Sequence, residues 1–216
     1  MIDRNSLPFK DIKRHPYAMD ARHRMRIYEE RLKMGVAYIE NAEKELGLTC
    51  TCEKGCDACC RQMITVFDSE AEIVAKYLDD TVKGRKMERL KQKLKEQVEA
   101  LKKYGITDEA VREVSEKGEE ELRMKYEYVA LSLPCPLLSE DGCCTVYPVR
   151  PVSCWDYRCY GDRTLCEGQI NPNAHSNEKI SVPLMFDILS DKDDPSTSEL
   201  RLFQTALLEK LEELDK

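Results

Sequence analysis

Eleven cysteines in 216 residues gather mainly into two stretches about seventy-five residues apart, Cys52-Glu53-Lys54-Gly55-Cys56-Asp57-Ala58-Cys59-Cys60 and a later group of Cys135, Cys143, Cys144, Cys154 and Cys159. A thiolate is a strong ligand for soft metals and a strong nucleophile, and a bound cation keeps it deprotonated near neutral pH. With only 3 histidines in the chain, thiolates must supply nearly all the ligands of any metal site. Cys56 and Cys59 have the C-x2-C spacing that lets two sulfurs converge on one ion within a tight turn. Gly55 beside them supplies the backbone freedom such a turn needs. Convergent thiolates in a desolvated pocket repel one another unless a cation offsets them, so clustering of this kind points to metal or to oxidation. An odd number of cysteines cannot all pair within one chain, which disfavours a disulfide framework.

Zinc and iron–sulfur clusters are the two common acceptors for this ligand type. Three features favour iron–sulfur, with 4Fe-4S ahead and zinc as the alternative. The candidate ligands are almost purely cysteine, Cys135 is followed by Pro136 as in the endings of ferredoxin runs, and adjacent Cys59 and Cys60 suit a polynuclear centre. Taken singly, Cys60 or Cys143 also reads as a small buried apolar side chain next to a real ligand.

The second stretch carries a more specific pattern. Cys135-Pro136-Leu137-Leu138 followed by Asp141-Gly142-Cys143-Cys144-Thr145-Val146-Tyr147-Pro148-Val149-Arg150-Pro151-Val152-Ser153-Cys154, with Cys52-x3-Cys56-x2-Cys59-Cys60 before it, resembles the YkgJ family of cysteine cluster proteins, the CxxCxxCC zinc- or iron-chelating domain. The resemblance covers roughly residues 50–67 and 133–160 and aligns Cys144, not Cys143, with the family cysteine. Two positions depart from the pattern: the Cys52 to Cys56 spacing is one residue long, and Trp155 stands where Arg commonly follows. The resemblance implies a metal-binding domain, similar to the cysteine domain with which flagellin lysine N-methylases are thought to hold an iron–sulfur cluster. Methylase activity does not carry over, because the chain has no G-x-G-x-x-G after a strand and no P-loop. Cys52-x3-Cys56-x2-Cys59 matches the spacing of radical enzymes literally, yet the sequence offers too few strands for their barrel.

The candidate ligands are therefore Cys52, Cys56, Cys59, Cys60, Cys135, Cys144, Cys154 and Cys159. Arg150 and Tyr147 are expected to support them from behind, Arg150 by offsetting thiolate charge and Pro151 by stiffening the approach to Cys154. A plain salt bridge for Arg150 and a core position for Tyr147 are the competing readings, and Arg61 has the same pair of readings as Arg150. Trp155 and Tyr157 are expected to shield the site. His15, His23 and His175 lack ligand spacing to any cysteine. For an enzyme using a reactive thiol, Cys166 or Cys143 would be the nucleophile.

Helices must position these residues. Apolar spacing predicts one from about Met19 through Val36, Ile39, Ala42 and Leu46 to a stop at Gly47, forming an N-terminal arm over 1–49. The arm is locally basic, with Arg22, Arg24, Arg26, Arg31 and Lys33. Met63 to Phe67 reads as a buried strand or extended core segment, and Ser69 with Glu72 as a capping box for the next helix. A helical hairpin insertion over 68–132 breaks near Gly105, its arms presenting Leu90, Leu94, Val98 and Leu101, then Val111, Val114, Leu122, Tyr126 and Val129. After an irregular stretch around Asn171-Pro172-Asn173, Pro183 and Asp191 to Asp194, a final helix over 195–216 is capped by Ser196 or Ser198. It presents Leu200, Phe203, Leu207, Leu208 and Leu211.

The expected fold is a single mainly α domain, helices around a loop-rich cysteine and metal-binding core formed by 50–67 and 133–166, with the long helical hairpin inserted between. Around Cys135 to Cys166 little apolar material is evident, so the metal is expected to act as a folding element. A net charge of -7 argues against general nucleic-acid binding. The absence of a membrane-length apolar run or an export signal favours the cytoplasm. The expected function is that of a metal-binding protein with a cysteine-ligated iron–sulfur cluster, for electron transfer or in support of a redox or group-transfer reaction. The alternative is a structural zinc domain that presents helices to a protein partner, through the hairpin or the basic arm.

Overall fold

The computed structural model describes residues 21–53, 55–115, 117–166 and 200–215. The expected helix start near Met19, the Ser196 and Ser198 caps, the irregular stretch around Pro172 and Pro183, and His15 and His175 lie outside these residues. The described chain is mainly helical, and no helix in it is long and apolar enough to cross a membrane.

Helix α1 spans Ala21–Leu46 and buries Tyr28, Leu32 and Ile39, spaced by about one or two turns. It ends in a Schellman motif: Leu48 N–H donates to Glu43 O at 2.8 Å, Gly47 N–H to Lys44 O at 3.2 Å, and Gly47 takes a φ of +66°. Leu46, expected on the inward stripe, is exposed, and buried Glu43 is the inward residue one turn past Ile39.

Strand β1 is only Thr65–Val66, and α2 follows over Asp68–Thr81. The expected Ser69/Glu72 capping box does not form. The chain turns into α2 at Phe67, and Glu70 closes the first turn, its Oε2 accepting from Phe67 N–H at 3.0 Å. The start moves because Glu70 is drawn inward to partners on two other segments. Helix α3, Arg85–Lys103, buries Leu90, Leu94, Val98 and Leu101 as expected.

The second arm of the insertion is two helices rather than one: α4 over Asp108–Val114, capped by Thr107 Oγ1 accepting from Ala110 N–H at 3.2 Å, and α5 over Glu119–Ala130. The break resets the helical phase. As a result Met124, Tyr128 and Val129 face inward, while Leu122 and Tyr126, expected there, are exposed. Helix α6 is the short Val152–Asp156. The final helix also starts later than expected, as α7 over Phe203–Glu213. Ahead of it, Arg201–Leu202 forms strand β2, antiparallel to β1 with Thr65 opposite Leu202, and Phe203 N–H adds a bond to Ile64 O at 3.0 Å. The strand pairing claims these residues before the helix can.

Helix α2 is the hub, packed on α7 and α1, while α3 packs on α7. The main core joins their apolar faces to Leu137, Val146, Val149, Val152 and Trp155, with Cys135 and Cys144 packed against it. A smaller cluster of Leu101, Ile106, Val111, Met124, Tyr128 and Leu202 closes the end of α3 over α4 and α5. The cysteine-bearing loop thus supplies five buried apolar side chains of its own, correcting the expectation that it lacks material to order it. Those residues are scattered singly among prolines and cysteines, so they show no periodicity in the sequence.

Candidate metal centre

Residues Ala58–Arg61 form a single 3-10 turn that carries Cys59 and Cys60. The turn is joined to the second cysteine stretch through the backbone, with Cys135 N–H donating to Cys60 O at 2.8 Å. Cys135 to Cys144 then fold back on themselves. Leu138 pairs with Cys144 in an antiparallel bridge, Thr145 N–H donates to Leu137 O at 3.0 Å, and Ser139 N–H donates to Cys143 O at 2.9 Å. The reversal is made at Gly142, whose φ of +74° suits glycine. Gly55, at a φ of +90°, turns the first stretch and puts its carbonyl beside Gly142, so the two turns touch. Cys154 sits in the first turn of α6, next to Ser153, whose Oγ donates to Thr65 O at 3.2 Å.

The result is one neighbourhood of thiols drawn from both stretches. Burial pushes the Cys135 thiol up to about 12, with the charges of Cys144 and Cys59 adding to the rise. Burial likewise raises Cys154 far above the usual thiol range, reinforced by Cys135, Cys59 and Cys144. Cys144 is raised by burial against the pull of Val146 N–H and Arg150. Cys59 is raised first by its hydrogen bond with Cys60, then by burial. The Arg150 guanidinium opposes the rise at Cys59, Cys144 and Cys154. Tyr147 is not in the core. It is exposed and lies under Arg150, 4.3 Å from guanidinium carbon to ring centroid. Arg61 pairs with Asp57 at 3.5 Å on an exposed face.

Among the described residues, no three His, Cys, Asp or Glu side chains stand in an arrangement that could hold a metal ion as placed. The thiols are electrostatic neighbours with a shared backbone frame, short of a closed ligand shell. None of the eleven cysteines is paired in a disulfide. Cys56 donates its N–H to Glu53 O at 3.0 Å in the turn before Cys59.

Cys52 and Cys159 form part of a second group, together with Cys50, which the sequence reading passed over. Cys52 Sγ accepts from Cys159 N–H at 3.3 Å, and Cys50 lies two residues before it in the same irregular segment. Beside them Arg158 is gripped by Glu43, Nε to Oε1 at 2.5 Å and Nη2 to Oε2 at 2.8 Å, and Tyr160 OH donates to the same carboxylate at 2.5 Å. The missed signal was Glu43 itself, an acid four residues beyond Ile39 on the inward stripe of α1. Cys166, a candidate nucleophile from sequence, is buried, which does not suit an attacking thiol. Trp155 is buried beside Cys154 as expected, and its Nε1 has no hydrogen-bond partner among the described residues.

No protein-family model, no curated protein and no solved structure matches the chain.

Proposed function

We propose that this is a metal-binding protein in which Cys59, Cys60, Cys135, Cys144 and Cys154 hold an iron–sulfur cluster, 4Fe-4S favoured, for electron transfer or in support of a redox or group-transfer reaction. The observation that carries the reading is the backbone bond from Cys135 N–H to Cys60 O at 2.8 Å, which joins the two cysteine stretches so that Cys59, Cys135, Cys144 and Cys154 feel one another's charge, with Arg150 opposing the rise at Cys59, Cys144 and Cys154. The donor set fits: it is purely sulfur, and burial favours the neutral thiol at Cys135, Cys144 and Cys154, a state that a bound cation reverses. Trp155 Nε1–H, a buried donor without a partner among the described residues, is the type of group that tunes a sulfur-rich centre by hydrogen bonding. When bound, such a cluster supplies one-electron chemistry or an open iron. Arg150 offsets the charge of the set, and Leu137, Val146, Val149 and Trp155 exclude water from its inner side. Kinship with the YkgJ family belongs to this proposal and rests on the Cys52–Cys60 and Cys135–Cys154 motifs.

The second reading is a structural zinc domain that presents a helix to a protein partner. Exposed Leu122 and Tyr126, one turn apart on α5, favour it. Anaerobic purification followed by metal and acid-labile sulfide analysis decides between the two. Brown protein with broad absorbance at about 400 nm, iron and sulfide supports the first. Colourless protein with stoichiometric zinc supports the second, and protein that takes up neither metal sinks both. Cys135→Ser and Cys154→Ser should each lose most of the metal, whereas Cys166→Ser should keep it.

A further inference from the structure

Helix α3 gathers four cations on one flank and leaves them unanswered. At 3.6 residues per turn, Arg85, Lys86, Arg89 and Lys93 fall within about 100° of arc, along a row of about 12 Å. All four are exposed, and none makes an ion pair among the described residues. The opposite flank is built differently. There Lys91 pairs with Asp215 at 2.6 Å and Lys95 with Glu212 at 3.1 Å, and Glu88 and Glu99 lie on the same side. Acids are plentiful in a chain of net charge -7, so the unpaired row stands against the overall balance. Glu96, which shares the basic flank, accepts from Gln92 Nε2–H at 2.8 Å. The row ends at an opening onto the cysteine core. Lys93 and Gln97 border a cleft of about 290 Å³ whose other wall is Leu133, Pro134 and Pro136, and Cys135 lines it as well. Gln97 Nε2–H donates to Pro134 O at 2.7 Å, which ties this wall to α3.

We propose that this flank of α3 is the docking surface for a small acidic electron-carrier protein, seated over the cleft that reaches Cys135. The choice of an electron carrier rests on the iron–sulfur reading above, whereas the acidic character of the partner rests on the unpaired row itself. Leu133, Pro134 and Pro136 form an apolar centre and the cations its rim, the arrangement that protein interfaces share. Unopposed cations in a row speed the arrival of an acidic partner and fix its orientation. The small apolar centre suits the brief, weak contacts by which electron carriers work. One electron leaves the reduced carrier and enters the oxidised centre by way of Cys135. The carrier is oxidised by one electron and the centre reduced by one, with no bond formed or broken. Nucleic acid and anionic membrane fit less well, because the net charge of -7 repels both beyond the immediate contact.

The test measures binding of the full chain, purified anaerobically, to two probes, an acidic [2Fe–2S] ferredoxin and an acidic flavodoxin. Surface plasmon resonance should show at least one of them binding, with affinity falling as salt is raised to about 0.15 M and beyond. Arg85→Glu, Arg89→Glu and Lys93→Glu together should weaken that binding about tenfold or more, chiefly through slower association. The same change of charge placed elsewhere, as Arg26→Glu, Lys33→Glu and Lys102→Glu, should weaken it by no more than about twofold. Carbodiimide coupling of the wild-type pair should join partner carboxylates to Lys86 and Lys93 ahead of the other lysines, as read by peptide mass. That arm decides the matter even if a variant fails to fold. Binding of neither probe, equal loss in the two triple variants, or cross-links scattered over the surface would overturn the assignment. So would tighter binding to duplex DNA or to phosphatidylserine vesicles than to either carrier, or a salt-sensitive dimer of this chain that the α3 changes abolish. Docking is scored on metal-loaded and metal-free protein alike, so its failure and the failure of the iron–sulfur reading are separate results.

Discussion

Glu70 has the most demanding position of any single residue. Its carboxylate accepts from Phe67 N–H at 3.0 Å, Val152 N–H at 2.9 Å and Tyr28 OH at 3.4 Å, tying α1, α2 and α6 together at one point. Burial raises it to about 7, and the three donors only partly offset that rise. The unfolded value is near 4.5, so between pH 4.5 and 7 the folded chain holds a proton that the unfolded chain has released. This contribution to stability is complete below the unfolded value and is lost as pH rises through 7, amounting to about 3 kcal/mol. Urea unfolding across that range should show the slope in wild type, and Glu70→Gln should flatten it while costing about 1–2 kcal/mol at pH 5 through poorer hydrogen bonding. Arg150 makes a second residue-level prediction. With its charge removed, the thiols of Cys59, Cys144 and Cys154 rise further, so in metal-free protein Arg150→Gln should slow their alkylation at pH 8 by about threefold to tenfold. Arg150→Lys should restore part of the rate, as read by site-resolved mass analysis.

At the level of elements, the two-residue strands outweigh their length. Arg201 on β2 reaches Asp108 of α4 at 2.9 Å, Asp68 of α2 at 3.0 Å and Glu209 of α7 at 2.6 Å, and Leu202 N–H donates to Asp108 Oδ1 at 2.9 Å. Asp108 is buried, and removing the guanidinium strands its charge. Arg201→Ala should therefore cost about 3 kcal/mol, seen as a lower urea midpoint with an unchanged slope. Much of this could not be read from linear sequence. The stripe Leu90, Leu94, Val98 and Leu101 of α3 was legible because its period is unbroken. The second arm misled because a short break after Val114 shifts the phase, making Leu122 and Tyr126 look inward when Met124 and Tyr128 are. Likewise, Leu200 to Phe203 has a helical pattern, but pairing with Thr65 and Val66 takes Arg201 and Leu202 out of the helix.

For the molecule as a whole, the question is what orders the cysteine loop. Leu137, Val146, Val149, Val152 and Trp155 anchor it in the main core, so hydrophobic burial supplies a frame onto which any metal adds its binding energy by linkage. Chelation of the metal should leave most helical circular dichroism in place and raise amide exchange mainly over residues 135–160. Trp155→Ala, which opens a cavity beneath the loop, should cost about 3–5 kcal/mol in chemical denaturation with the metal already removed. Loss of most helical signal on chelation alone would instead make the metal the folding nucleus.

Residue type and local spacing determined by themselves that this chain is mainly helical, that sulfur is its one concentrated chemistry, and that Arg150 belongs with Cys144 and Cys154. Each of these depends on neighbours within a few turns of chain. Only the tertiary structure decided that the turn of Cys59 and Cys60 is tied to Cys135, that Cys52 meets Cys159, and that Glu70 and Glu43 turn inward. Those outcomes depend on which distant backbone donors and cations a buried group finds, and sequence separation carries no information about that distance.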